Sequence, residues 1–370
     1  MKVALVHDWL TGMRGGERVL EVLCERYPDA ELFTLLHIRG SVTGVIEGRR
    51  IHTSPLQYLP NIRRYYRECL PLFPVLIEQF DLDRFDLVIS SSHCVAKSVL
   101  TRSDAVHLCY CHTPMRYAWD QFGAYFGADR IGRVPSRIMR SIMARLARWD
   151  RATADRVDRY VTNSEHVAGR IRTYYNRDAI VIYPPVDTEF FYPDAVVPER
   201  YALVVSALVP YKRIDIAIDA CRRARLPLKI VGTGPDRTRL ERAAANRSGH
   251  AGNPVEFLGR VPDEQLRDLY RRAQLTLMTG EEDFGIAPVE SQACGRPVIA
   301  LARGGALETV IPDETGVLVG ELTGAAFADA IAHALDRRFD PAEIRRHAER
   351  FGRQRFSESI GAVINETAAC

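Results

Sequence analysis

Lysine is nearly absent from this chain. Of its 50 basic residues only Lys2, Lys97, Lys212 and Lys229 are lysines, and the other 46 are arginines. A lysine is therefore an exception to the habit of the sequence. No apolar run approaches the roughly 18 residues of a membrane-spanning helix, and Lys2-Val3-Ala4-Leu5-Val6 lacks the layered pattern of a secretory leader. The eight cysteines, at 24, 69, 94, 109, 111, 221, 294 and 370, form no CxxC pair. Cys109 and Cys111 are the one close pair and cannot make a zinc site unaided. The expectation is a reduced, cytoplasmic protein without disulfides. Neither sign of charge dominates: the formal net charge is +3, too little to imply nucleic-acid binding. A hydrophobic share of 46% with 26% charged residues excludes disordered and low-complexity classes.

What is present is alternation. Short apolar runs, among them Val3–Val6, Leu87–Ile89, Val106–Cys109, Ala202–Val205, Leu228–Val231, Leu275–Met278 and Val298–Ala300, are separated by stretches of helical length. Strands alternating with helices imply parallel sheets covered on both faces. There are too many runs for one doubly wound sheet, and prolines break the pattern near Tyr183-Pro184-Pro185 and across 193–198. The expected organisation is α/β: a Rossmann-like domain over 1–190, a second over 200–345, and a C-terminal helix over 346–370.

Several turns carry chemistry. His7-Asp8-Trp9 leads into Gly15-Gly16 and a helix, where a backbone without Cβ atoms lets a ligand approach the helix N-terminus. The dinucleotide fingerprint GxGxxG does not fit here. In the second half, Lys212-Arg213 follows a strand and precedes a helix, an arrangement suited to a diphosphate. The choice of lysine at 212 strengthens that reading. Gly232-Thr233-Gly234 forms a second glycine turn in the same half.

The segment Glu282-Asp283-Phe284-Gly285-Ile286-Ala287-Pro288-Val289-Glu290 is the sharpest. It follows a buried strand and opens a helix, so the amides of Phe284, Gly285, Ile286 and Ala287 are donors at a helix start. Two carboxylates bracket those donors. Carboxylates repel an anion, so their natural partners are neutral hydroxyls of a sugar.

On these residues the chain resembles the family 4 retaining glycosyltransferases of the GT-B fold. Glu282 and Glu290 match the E-x7-E motif of that family. The resemblance extends over essentially the whole chain and includes the Gly15-Gly16 turn, His112, Asn163-Ser164, Lys212, the Gly232/Gly234 turn, Leu258-Gly259-Arg260-Val261 and Gly295-Arg296-Pro297. Segments 7–20, 90–93, 110–120 and 208–215 are similar to bacterial mannosyltransferases of O-antigen, capsule and exopolysaccharide synthesis. The resemblance implies two Rossmann-like domains facing a cleft, with the C-terminal helix packed back on the first. It implies a nucleotide sugar donor, GDP-mannose, a glycan or polyprenyl-diphosphate-linked acceptor, and no cofactor or metal. It also assigns roles. Glu282 would contact donor-sugar hydroxyls, Glu290 the ribose, Lys212 the diphosphate and His112 the donor sugar, with Gly15 and Gly16 against the donor and Arg260 and Val261 flanking the base. Many relatives carry an arginine five residues before the diphosphate lysine; here that position is Ala207, and Arg213 is the substitute at hand.

Loss of the diphosphate builds positive charge on the sugar and negative charge on the leaving group, which Lys212, Arg213 and the amides after Glu282 are suited to stabilise. No pair of acids with glycosidase spacing is visible, which favours same-face attack by the acceptor. The DxD string Asp81-Leu82-Asp83 lacks a glycine turn and reads as a solvated loop. His93, after three serines, has no nucleophile elbow around it and reads as a turn or cap. Residues 133–151 form a basic amphipathic pattern, with Arg133, Arg137, Arg140, Arg148 and Arg151 on one face and Ile138, Ile142, Leu146 and Trp149 on another. Such a helix either lies on an anionic membrane or packs on its own domain. Arg63-Arg64-Tyr65-Tyr66-Arg67 adds a second basic stretch. Competing functions are a transferase using another nucleotide sugar, such as GDP-rhamnose or a UDP-hexose, and a non-catalytic nucleotide-sugar or polysaccharide-binding protein. A glycan phosphorylase would need a lysine for its cofactor, and only Lys212 is near a plausible site.

Overall fold

The computed structural model describes residues 1–245 and 254–369. They divide into two compact units: Met1–Pro185 together with the residues from Gln354 onward, and Val186–Arg353. Cys370 lies outside the described residues.

The first unit is built on β1 (Val3–His7), β2 (Glu31–Thr34), β3 (Ile51–Thr53), β4 (Leu87–Ser92), β5 (Val106–Cys111), β6 (Arg159–Thr162) and β7 (Ala179–Val181). Their order in the sheet is β3-β2-β1-β4-β5-β6-β7, and every pairing is parallel. The central strands are apolar runs sunk between layers of helix: Ala4, Leu5, Val6, Leu87, Val88 and Leu108 are all fully buried. Each large side chain among them contributes about 1.5–3 kcal/mol by leaving water. Helix α1 (Gly15–Arg26) follows β1, and its first turn is closed by Glu17, whose carboxylate accepts the Arg14 amide at 3.1 Å. Helix α2 (Arg133–Ala152) spans the basic amphipathic segment.

The second unit contains β8 (Ala202–Val205), β9 (Leu228–Val231), β10 (Val255–Gly259), β11 (Leu275–Met278), β12 (Val298–Leu301) and β13 (Gly316–Val319), in the order β10-β9-β8-β11-β12-β13 and again all parallel. Helix α3 (Ile214–Arg223) follows β8, and α4 (Ile286–Ala293) follows β11. In both sheets the chain order reverses beside the first strand, between β1 and β4 and between β8 and β11. Loops leaving the carboxyl ends of strands at such a reversal diverge and leave room for a ligand.

Helix α5 (Arg353–Ala369) lies in the first unit, where Phe356, Ile360 and Ile364 are buried in the cluster that includes Leu20, Leu23 and Ile89. The passage between units falls at 185/186 because Val186 is already tied to the second one. It forms a parallel bridge with Gly352, and its amide donates to the Phe351 carbonyl at 2.9 Å. The stretch read as one helix from 346 is two. Pro341–Ala348 belongs to the second unit, a short 3-10 turn Glu349–Phe351 follows, and α5 then begins. Strands β2 and β3 had no counterpart among the apolar runs of the sequence.

Candidate functional site

In the second unit, the four loops after β8, β9, β10 and β11 leave the carboxyl edge of the sheet and carry the residues singled out from the sequence. The loop after β8 bears Lys212 and the loop after β11 bears Glu282, the two strands that flank the chain reversal. The Lys212 ammonium and a Glu282 carboxylate oxygen are hydrogen-bonded to each other. Both anchors of this pair are fixed from behind. The Thr279 hydroxyl donates to the carbonyls of Lys212 and Arg213, at 3.1 and 2.9 Å. Gly280 lies so close to the Lys212 turn that no side chain fits between them. Glu282 forms a parallel bridge with Gly304, and its carbonyl accepts the Gly305 amide at 2.9 Å.

The neighbouring loops show why glycine is needed. Gly232 has a φ of +134°, and a Cβ there would run into the Ser206 carbonyl, as one at Gly234 would into that of Leu208. The turn after β9 therefore lies flat on the turn after β8. Gly285 caps α4 with a φ of +95°, a left-handed position that directs the amides of Ile286 and Ala287 out of the first turn. Further along α4, Glu290 accepts a hydrogen bond at 2.9 Å from the hydroxyl of Tyr270, a fully buried ring. Arg260 is exposed and Val261 half-buried just beyond β10.

Two residues expected at the ligand are otherwise engaged. Arg213 caps α3 in a left-handed conformation, φ +49°, and its guanidinium meets Asp215 through two bonds of 3.2 and 3.1 Å. In this arrangement it does not replace the arginine missing at Ala207. The Phe284 ring is buried, edge-on to Phe351 at 5.5 Å, and turned into the fold.

In the first unit, the corresponding edge holds Gly15 and Gly16 at the start of α1, and His112 directly after β5. Gly16 faces the rings of His7 and His112, and a methyl group on it would be 3.5 Å from each. The Ser91 hydroxyl lies between those rings, 3.1 Å from His7 Nδ1 and 2.8 Å from His112 Nε2. Burial, with the neighbouring His93 and His7, holds the His112 imidazole well below its usual range. Asp8, fully buried, accepts the amides of His93, Cys94, Val95 and Ala96 at 2.6–2.9 Å and faces His93 Nδ1 at 3.0 Å. His93 is thus part of a turn organised around a buried carboxylate. Burial holds its imidazole low, against the pull of Asp8.

Ser91, Asp8, Glu17, Tyr270 and Thr279 escaped sequence reasoning. Asp8, Glu17 and Ser91 lie within quoted segments without being singled out there, and Ser91, Asp8, Tyr270 and Thr279 acquire their roles from partners 20 to 88 residues away. Asp81 and Asp83 stand in an exposed turn where the Asp81 carboxylate accepts the Asp83 amide. Among the described residues, no group of three or more His, Cys, Asp and Glu side chains is arranged to hold a metal ion, and no helix is long and apolar enough to cross a membrane. The apolar face of α2 is largely spent on its own unit: Leu146 is buried, and Ile142 and Trp149 pack against the same core. Ile138 stays 58% exposed.

A lysine point charge, a run of helix-start amides and two anchored carboxylates can hold an anionic diphosphate beside hydroxyl groups. Comparison with known proteins bears on that combination. The model described as Glycosyltransferase Family 4 matches residues 13–190, and the one described as Glycosyl transferases group 1 matches residues 187–355. The D-inositol 3-phosphate glycosyltransferase of Acidothermus cellulolyticus is 34% identical over 244 residues, 57% of this chain and 54% of that protein. The enzyme of the same name from Mycolicibacterium smegmatis is 30% identical over 238 residues, 58% and 54% of the two chains. The chain thus spans about half the length of the curated relatives it matches. Among solved structures, Anabaena HepE in complex with UDP-glucose superposes with a TM-score of 0.71 at 19% identity, over the full length of both chains. Sucrose-phosphate synthase from Thermosynechococcus elongatus gives 0.69 at 19%, also over both full lengths.

Proposed function

Because the chain belongs to the family 4-like glycosyltransferases of the GT-B fold, we propose that it transfers a hexosyl group from a nucleotide sugar, GDP-mannose, to a glycan or lipid-linked acceptor of a surface polysaccharide. The observation that carries this reading is the Lys212–Glu282 pair at the chain reversal of the second sheet, with Glu290 eight residues on and anchored by Tyr270. Lys212 binds the diphosphate, Glu282 takes hydroxyls of the sugar, Glu290 holds the ribose, and the amides of Ile286 and Ala287 donate to phosphate oxygens. Gly232 and Gly234 let the nucleotide lie close to the backbone, and His112 contacts a sugar hydroxyl.

The reaction is retaining. The acceptor oxygen forms its bond to the anomeric carbon on the face from which the diphosphate departs, the carbon–oxygen bond to phosphate breaks, and the acceptor proton passes to the leaving phosphate oxygen. Lys212 and the helix-start amides neutralise the departing charge, so the step needs no metal. Full activity in excess EDTA and a product of unchanged anomeric configuration by NMR are expected; loss of activity on chelation or an inverted product overturns this mechanism.

Thermal shifts with GDP, UDP, ADP and dTDP sugars, wild type beside Glu290→Ala, test the donor. A GDP-selective shift lost in the variant is expected. The UDP-glucose complex of HepE, alike in fold, makes a UDP-selective shift the alternative outcome, which would replace the mannosyl donor and keep the transferase. Binding without transfer or hydrolysis would support the non-catalytic reading.

We also propose peripheral attachment of the first unit to an anionic membrane, where a polyprenyl-linked acceptor resides. Tyr58, Leu59, Leu72 and Val75 are exposed apolar side chains close in sequence to the exposed Arg63, Arg64 and Arg67. Arg137, Arg140 and Arg148 add exposed positive charge on α2. Liposome binding that survives charge reversal at all six arginines overturns this attachment.

A further inference from the structure

The first unit contains a line of polar groups, leading to His112, whose other members the proposed reaction does not use. It begins at Glu17, buried in the first turn of α1. Burial works against its ionisation, but the attraction of the facing His7 imidazole holds its carboxyl below the usual range. One carboxylate oxygen accepts the Arg14 amide, and the other faces His7 Nε2 at 3.9 Å. His7 is fully buried, and this nitrogen has no hydrogen-bond partner among the described residues. The opposite nitrogen, Nδ1, meets the Ser91 hydroxyl, which in turn meets His112 Nε2. Nδ1 of His112 makes no hydrogen bond among the described residues.

The direction of these bonds follows from the carboxylate. A neutral imidazole carries one proton, and the tautomer is set by what each nitrogen faces. Glu17 favours the proton on His7 Nε2. Nδ1 of His7 is then an acceptor, so the Ser91 hydroxyl must donate to it. The Ser91 oxygen is left to accept, and the donor it finds is His112 Nε2. Each residue has one choice once its neighbour has made its own.

We propose that Glu17, His7 and Ser91 form a relay that keeps the His112 proton on Nε2, so that Nδ1 is presented as a hydrogen-bond acceptor for a sugar hydroxyl. The three are positioning residues, acting through His112. The sugar half of the inference rests on the reading of His112 given above; the relay itself belongs to the unliganded protein. Asp8 and His93 lie beside the cluster, but Asp8 is occupied by four amides and His93, and neither is bonded to Ser91.

The test is the tautomer. Long-range nitrogen–proton correlation spectra of the full chain labelled with 15N-histidine, recorded at pH 8.5, above the ordinary imidazole range, separate the two forms. His112 is assigned by its absence in His112→Gln. The expected result is Nε2–H at both His7 and His112 in the wild type. Ser91→Ala removes the bridge and is expected to leave His112 as a mixture of tautomers. Glu17→Gln gives the sharper result. Its amide oxygen keeps the bond to the Arg14 amide, which turns the NH2 group toward His7 Nε2. His7 must then accept there and carry its proton on Nδ1, Ser91 reverses, and His112 flips to Nδ1–H. Nδ1–H at His112 in the wild type, or an Nε2–H form unmoved by both variants, overturns the relay. Because no nucleotide is present, failure here leaves the donor reading standing, and a failed nucleotide panel leaves the relay standing.

Discussion

Replacing Gly280 with alanine would test whether the Lys212–Glu282 pair is set by the backbone behind it. Gly280 lies two residues beyond β11, and an added Cβ would lie 2.7 Å from Lys212 Cα and 2.9 Å from the carbonyl oxygens of Lys212 and Tyr211. All three are main-chain atoms, so no rotamer change relieves the contact. Ordinary contact begins near 3.4 Å, and the turn must therefore retreat by more than half an ångström. It is not free to do so, because Thr279 holds the Lys212 and Arg213 carbonyls and the Gly232–Gly234 turn lies on the loop from the other side. Overpacking of this kind costs about 1–3 kcal/mol. For a unit of this size that lowers its melting temperature by roughly 2–12 °C.

The functional cost is larger than the thermal one. A displaced Lys212 meets neither Glu282 nor a diphosphate in the same place, and misplacement by about 1 Å costs on the order of a hundredfold in rate. Calorimetric titration with the nucleotide selected by the thermal-shift panel would show affinity reduced by about tenfold or more, one such step being about 1.4 kcal/mol. Gly320→Ala is the control, since nothing lies within 4 Å of its added Cβ. A Gly280→Ala protein that melts within a degree of wild type and binds nucleotide equally well would refute the reasoning.

Other outcomes follow from single contacts. Tyr270→Phe removes the hydroxyl that anchors Glu290; a bond to a charged group is worth about 1.5–3 kcal/mol at most, so nucleotide titration should weaken about tenfold, and an unchanged constant would separate Glu290 from the ribose. Lys97→Met leaves the fully buried Asp150 without the ammonium at 3.1 Å, with only the Trp119 and Tyr175 donors on its other oxygen; breaking such a pair costs about 3–5 kcal/mol, to be read from urea unfolding of the first unit. Burial pushes the His107 imidazole down to about 4, although the Arg156 carbonyl and Asp158 favour its charged form. The unfolded chain binds the proton near pH 6.5 and the folded one only near 4, so this contribution is full above 6.5 and fades as pH falls toward 4, by on the order of 3 kcal/mol. The slope of unfolding free energy between pH 6.5 and 4 should flatten in His107→Gln.

The parallel sheets were legible because their central strands are buried on both faces and read as unbroken apolar runs. Strands β2 and β3 were not. Glu31–Thr34 opens on a charged residue, and Ile51–Thr53 is a half-buried edge strand with a histidine at its centre, where no hydrophobic selection operates. The acidic segment 282–290 stood out in the sequence through its E-x7-E spacing, since its residue types alone fit a structural helix start equally well. Its geometry did not: that Arg213 turns to Asp215, two residues on, and that Phe284 turns inward to Phe351 are choices made by tertiary packing. The same limit hid Asp8 and Ser91, whose partners are brought beside them by the pairing of β4 with β1 and β5.

The scarcity of lysine shows how far such a signal reaches. An arginine fork suits flat, bidentate partners, as at Arg213–Asp215 and Arg239–Asp236. A lysine offers a compact charge with three rotatable donors. Lys97 uses that geometry in full, against the Asp150 carbonyl, the Thr153 and Ser98 hydroxyls and the Asp150 carboxylate. Lys212 uses it on Glu282. Rarity alone does not separate the roles of these two positions, since Lys2 and Lys229 are equally rare. Burial decides. Lys97 is closed off with every donor satisfied inside the fold, whereas Lys212 is part-exposed beside β8, at the chain reversal where the loops of the second sheet diverge. Of the four lysines, Lys97 thus holds a core together, and Lys212 stands where, under the proposed function, a phosphate displaces a carboxylate.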